Sequence, residues 1–161
     1  MAAIAPLLAR IKLLFAILAL ALFSGCGTIN ATLRDNEGRD VMLLGHDPVA
    51  YFTETRAVAG RADVTAEHQG VTYRFASAAN RAAFLADPGR YLPQYGGYCA
   101  YGMARGYKAV VDPAAFTVAS GKLYLNYNRS IAGLWQGNRA REIQRADAHW
   151  PKVMDSPDVA R

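Results

Sequence analysis

The chain has 161 residues, with 18 Lys and Arg against 13 Asp and Glu, a formal charge of +5 and only two cysteines, Cys26 and Cys99. That length suits one compact domain. Without Arg10 and Lys12, which fall in an N-terminal leader, 16 basic side chains face 13 acidic ones, and a net charge of +3 gives solubility rather than a nucleic-acid footprint.

Arg10 and Lys12 form a short basic patch ahead of the unbroken apolar run Leu13 to Phe23. Eleven helical residues span about half of a bilayer core, which predicts a signal-peptide h-region rather than a transmembrane helix. The run ends in Leu22-Phe23-Ser24-Gly25-Cys26, which resembles the lipobox of bacterial lipoproteins, with Phe23 where the pattern prefers Leu. The resemblance implies that residues 1–25 are removed, that Cys26 is lipidated, and that acyl chains hold the protein to a membrane. Gly27, where an aspartate would retain such a lipoprotein on the inner membrane, implies the periplasmic side of the envelope and the outer membrane. The alternative is a plain secreted protein in which Cys26 is trimmed away or left free.

Residues 26–40 are polar and aperiodic and predict a tether, residues 41–154 the domain, and residues 155–161 a frayed tail. Apolar content begins at Val41-Met42-Leu43-Leu44, and Asp47-Pro48 predicts a capped helical turn through Val49, Ala50 and Phe52. Val64 to His68 and Val71 to Phe75, joined at Gln69-Gly70, predict a hairpin; Val71, Tyr73 and Phe75 alternate with Thr72 and Arg74. Ser77 offers an N-cap to a helix over 78–86 with Phe84 and Leu85 facing the core, stopped by Asp87-Pro88-Gly89.

The pattern Gly70-x-x-Tyr73-x-Phe75-x-Ser77, Phe84 and Asp87-Pro88-x-x-Tyr91, preceded by Asp47-Pro48-Val49, resembles the YHS domain family, with the core of the resemblance over residues 44–98 and an extension over 99–154. It implies a small α+β domain, often tied to metal handling through cysteines. Where the metal-binding members carry those cysteines this chain has Ala50, Ala76 and Asn80, so the thiolate set of a closed zinc site does not carry over. Lipoprotein-like members share the stretches His46 to Phe52 and Tyr95 to Gly102.

In the second half, Phe116 to Ala119 and Lys122 to Asn126 flank Ser120-Gly121 as a second hairpin. Asn128 caps a helix with Ile131, Leu134 and Trp135 at core spacing, and a further helix over 139–150, carrying Ile143, Ala146 and Trp150, ends at Pro151. The two hairpin-plus-helix units lie over one another at an offset of 51, matching Gly70 with Gly121, Tyr73 with Tyr124, Ser77 with Asn128 and Phe84 with Trp135. The expected fold is thus α+β, a small single domain of β-hairpins packed with short helices behind a signal peptide and tether.

The chemistry concentrates in Tyr95-Gly96-Gly97-Tyr98-Cys99-Ala100-Tyr101-Gly102. Tyr95, Tyr98 and Tyr101 with Gly96 and Gly97 are candidate pocket walls. Cys99 and Met103, four apart, suit copper(I) if His46, His68 or His149 completes the shell. Against that stands Cys99 as an inert, packed thiol. His46-Asp47 reads better as a capped turn than as a base, and His68 and His149 as solvated residues. No Gly-x-Ser-x-Gly, His-Glu-x-x-His, phosphate loop or Cys-x-x-Cys occurs, so nothing argues for an enzyme. Three readings follow: an envelope module binding a metal or small ligand, a structural or interaction lipoprotein that contacts another envelope protein, and a thiol-dependent redox protein using Cys99. A cleft reaching Cys99 separates the first from the second.

Overall fold

The computed structural model describes residues 33–34 and 38–160; the leader, Cys26 and most of the tether lie outside them. Two short strands, β1 (Leu33–Arg34) and β2 (Asp40–Val41), pair antiparallel ahead of a tight 3-10 turn over Met42–Gly45. Leu43 and Leu44 take left-handed φ values of 57° and 51° in that turn, a conformation that branched side chains resist. Burial of Leu43 among core residues offsets the strain. Helix α1 (Ala50–Thr53) follows, and the Asp47 carboxylate accepts from the Val49 and Ala50 amides at 2.8 and 3.4 Å, satisfying its free N–H groups.

Strands β3 (Arg61–His68) and β4 (Val71–Phe75) form the first hairpin. Gln69 and Gly70 both have positive φ, 51° and 75°, the primed turn whose twist matches the strands. β4 also pairs in parallel with β2, giving the sheet order β1-β2-β4-β3. Ser77 accepts from the Asn80 amide at 3.1 Å and starts α2 (Ala78–Ala86). Phe84 is fully buried, but Leu85 is 48 % exposed and does not face the core: consecutive helical residues diverge by about 100°, and the edge that α2 lays on the hairpin admits only Phe84. Asp87-Pro88 ends α2 and opens one more turn, α3 (Pro88–Tyr91).

A second 3-10 turn, Gln94–Gly97, leads to α4 (Ala100–Met103), β5 (Lys108–Ala109), and the second hairpin, β6 (Asp112–Ala119) and β7 (Lys122–Asn126). Asn128 accepts from the Ile131 amide at 2.9 Å and caps α5 (Arg129–Gly137). Here Trp135 is buried and Leu134 is 58 % exposed, so the expected core triplet holds only in part, for the reason given for Leu85. Helix α6 (Arg139–Val153) runs through Pro151 instead of stopping there; within three residues of the end, the missing N–H costs only one bond of the last turn. The tail is not frayed: β8 (Val159–Ala160) pairs in parallel with β5.

The two hairpin-plus-helix units coincide position by position. Arg61 pairs with Phe75 as Asp112 pairs with Asn126, both hairpins shift register over the next residues, and both resume at Thr65↔Arg74 and Phe116↔Leu125. Every strand and helix boundary of the first unit recurs 51 positions later. Upstream the offset is 52: Leu43-Leu44 and Tyr95-Gly96 share the left-handed pair inside the 3-10 turns. The Asp47 amide donates to Val58 O as the Cys99 amide donates to Ala109 O, at 2.8 and 3.0 Å. One core gathers Val49, Tyr51, Tyr73, Phe75 and Phe84 with Leu123 and Leu125; the other gathers Tyr95, Tyr98, Met103, Tyr124, Trp135 and Ala146. β7 therefore serves both, because alternate side chains of a strand face opposite ways.

Candidate functional site

Cys99 lies at the start of α4, where its sulfur accepts from the Gly102 amide at 3.5 Å. Its S–H reaches the Oδ1 of Asn126 at 3.7 Å, and that same oxygen accepts from the Tyr101 amide at 3.1 Å. Asn126 is fully buried, and its Nδ2 has no hydrogen-bond partner.

In front of the thiol lies a cavity of about 220 Å³ lined by Cys99, Tyr101, Tyr107, Ala109, Tyr127, Ile131 and Ala160. Five elements or their flanks build it: α4, β5, the β7–α5 junction, α5, and the terminal strand β8. Cys99 is 2 % exposed and borders the cavity from its buried side. Tyr107 and Tyr127, nearly half exposed, form the rim. Neither Asp nor Glu lines the space. The Arg105 guanidinium packs 3.2 Å from the centre of the Tyr101 ring, bonds to the Tyr101 carbonyl at 2.7 Å and to Glu142 at 2.8 Å, and so fixes that wall.

The structure separates the residues singled out from sequence. Of the expected wall, Tyr101 lines the cavity, whereas Tyr95 and Tyr98 pack in the second core beside Trp150, and Gly96 and Gly97 belong to the 3-10 turn. The Tyr95 hydroxyl donates to Asp147 at 2.9 Å, and its pKa is pushed well above the ordinary phenol value, first by burial and then by that carboxylate. Of the copper set, Cys99 reaches the cavity, Met103 is fully buried in the second core, and His46 Nδ1 meets the Leu43 carbonyl at 3.0 Å in the first unit. His149 Nδ1 lies 3.2 Å from the Met103 carbonyl, and His68, half-buried, packs against Tyr73 and Phe84. Among the described residues, no three of His, Cys, Asp and Glu converge as a metal-ligating group.

Tyr107, Ala109, Tyr127 and Ala160 were not assigned to a pocket from the sequence, and Ile131, expected to face the core, lines the cavity instead. The offset between the units was the available signal for two of them: Tyr127 and Ile131 are the counterparts of Ala76 and Asn80, which border Asp47, the counterpart of Cys99.

The fold and the cavity define a small α+β domain of two like units, with an apolar, tyrosine-rimmed recess in the second. In comparisons with known proteins, no protein family, no curated protein and no solved structure matches the chain. Among the described residues, no helix is long and apolar enough to cross a membrane.

Proposed function

We propose that this chain is a lipid-anchored cell-envelope binding module of the YHS type, and that the recess over Cys99 binds a small organic ligand. One observation carries the reading: the cavity opens between three tyrosines and reaches the buried thiol. An apolar cavity of roughly 150 Å³ holds benzene. The 220 Å³ here fits a single ring with a small substituent. Tyrosines supply flat contact area at little conformational cost and leave a hydroxyl at the rim.

The anchor rests on the lipobox-like end of the leader and on Cys26. Intact mass of protein taken from membranes tests it: a mature mass without a lipid increment ends that part of the reading. Copper is not carried forward, because Met103 lies in the second core and His46 in the first unit, away from the recess that Cys99 borders.

For the pocket, the test is NMR titration with single-ring aromatic compounds. Shifts confined to Cys99, Tyr127, Ile131 and Ala160, lost when Ala109→Phe fills the space, support it; no shift at millimolar ligand overturns it. A second reading, contact with another envelope protein, draws on Leu134, which stands 58 % exposed on α5.

A further inference from the structure

The cavity occupies the place where the first unit carries a polar plug. There Asp47 is fully buried, and its Oδ2 accepts from the Ala76 amide at 2.8 Å and from Asn80 Nδ2 at 2.7 Å. In the second unit the three corresponding residues are Cys99, Tyr127 and Ile131, and all three line the cavity. The carboxylate has become a thiol, and the amide side chain has become an aliphatic one.

The donors around the plug are not removed with it. Among the described residues, the Tyr127 amide, counterpart of the Ala76 amide, meets no protein acceptor. Asn126, which replaces the apolar Phe75 directly behind the thiol, keeps an unpartnered Nδ2 while fully buried. The first unit satisfies its donors with a carboxylate; the second has a surplus of donors and a weak sulfur acceptor. Of these only Asn126 Nδ2 is a buried donor left unmatched, which is costly, while the Tyr127 N–H sits on a residue that lines the recess; a ligand acceptor is the partner that such a donor-rich end lacks.

We propose that the pocket takes a small carboxylic acid with an apolar, ring-sized body, its carboxylate standing where the Asp47 side chain stands in the first unit. This rests on the small-ligand reading above. The carboxylate accepts from the Tyr127 N–H beside Cys99, while the body lies among Tyr101, Tyr107, Tyr127 and Ile131. α5 begins at the same position of its unit as α2, whose Asn80 and preceding Ala76 hold Asp47, and Ile131 of its first turn lines the cavity. With no Asp or Glu in the lining, an anion enters without like-charge repulsion from the walls.

The test titrates the full chain, isotopically labelled for NMR, with benzoate and separately with fluorobenzene, which has the ring but no comparable acceptor. Benzoate is expected to bind at least about tenfold more tightly, as a charge-assisted bond requires, and to move the Tyr127 amide proton downfield. Equal or tighter binding of fluorobenzene overturns the acid while leaving the pocket. Binding of neither overturns both, and benzoate shifts that bypass Tyr127 overturn the acid. Cys99→Asp, which restores the plug's carboxylate, is expected to shift the Tyr127 amide without ligand and to weaken benzoate by about tenfold or more. Should that variant not fold, the two-ligand comparison on the unaltered chain decides.

Discussion

Asp47 and Cys99 hold the same position in two units whose strand registers coincide, yet the first is a four-fold acceptor and the second a thiol. Asp47 takes the Val49, Ala50 and Ala76 amides and the Asn80 side chain. Removing it strands several donors in a buried site, so Asp47→Ala is expected to cost about 3 kcal/mol or more, against about 1 kcal/mol for Cys99→Ala. Urea unfolding of the two variants checks this, and similar losses would mean that the carboxylate is not what holds the first unit.

Burial and a carboxylate neighbour set the response to alkali. Tyr51, Tyr73 and Tyr95 all have phenol pKa values raised chiefly by desolvation, in Tyr95 with help from Asp147. A raised folded-state pKa contributes stability that is complete below about pH 10, the unfolded phenol value, and is lost as pH climbs through the folded one. Burial lowers the Lys108 pKa and acts oppositely near pH 10, but one lysine stands against five phenols, since burial raises Tyr98 and Tyr124 as well. Thermal melts are therefore expected to fall progressively above about pH 10, and by less in Tyr95→Phe; a flat profile would contradict the buried, protonated phenols.

Much of this was legible where local chemistry decides it. Ser77 and Asn128 were visible as caps, and Gln69-Gly70 and Ser120-Gly121 as hairpin turns, because each acts within a few residues. Facing was less legible: Leu85 beside Phe84 and Leu134 beside Trp135 are equally apolar, and only the packed hairpin chooses between neighbours. The left-handed Leu43-Leu44 pair ran against residue preference and was not visible at all. The cavity was hardest, since Tyr107, Ala109 and Ala160 meet only through the pairing of β5 with β8, some fifty residues apart. Tyrosine crowding pointed to the sulfur and to one tyrosine, Tyr101, that border the cavity, but Tyr95 and Tyr98 precede the turn into α4 and face the second core.

The Arg105–Glu142 pair joins the pocket wall to α6. Glu142 is almost fully buried, and Arg105 also covers the Tyr101 ring. Arg105→Ala leaves the carboxylate without its cation and is expected to cost about 2 kcal/mol. Arg105→Lys is expected to recover less than half, because an ammonium cannot lie flat on the ring while bonding the carboxylate. Full recovery in denaturant melts would reduce the contact to simple charge.

The terminal strand is the pocket's removable side. Lys108 Nζ bonds the Met154 carbonyl at 2.8 Å and also the Ser156 carbonyl, and Val110 N–H donates to Ala160 O at 3.1 Å; together these hold the segment that brings Ala160 to the cavity. Ending the chain at Met154 removes that wall, and with it Val159 from the edge of the second core, while leaving α6 and the buried residues of both cores in place. Cys99, now 2 % exposed, is then expected to react with a thiol reagent at least about tenfold faster, since access limits a buried thiol. Timed modification of native protein, with a melt to confirm that the shortened chain is folded, measures it. An unchanged rate in a folded protein would mean that the thiol is reached from another side and that β8 does not close the recess.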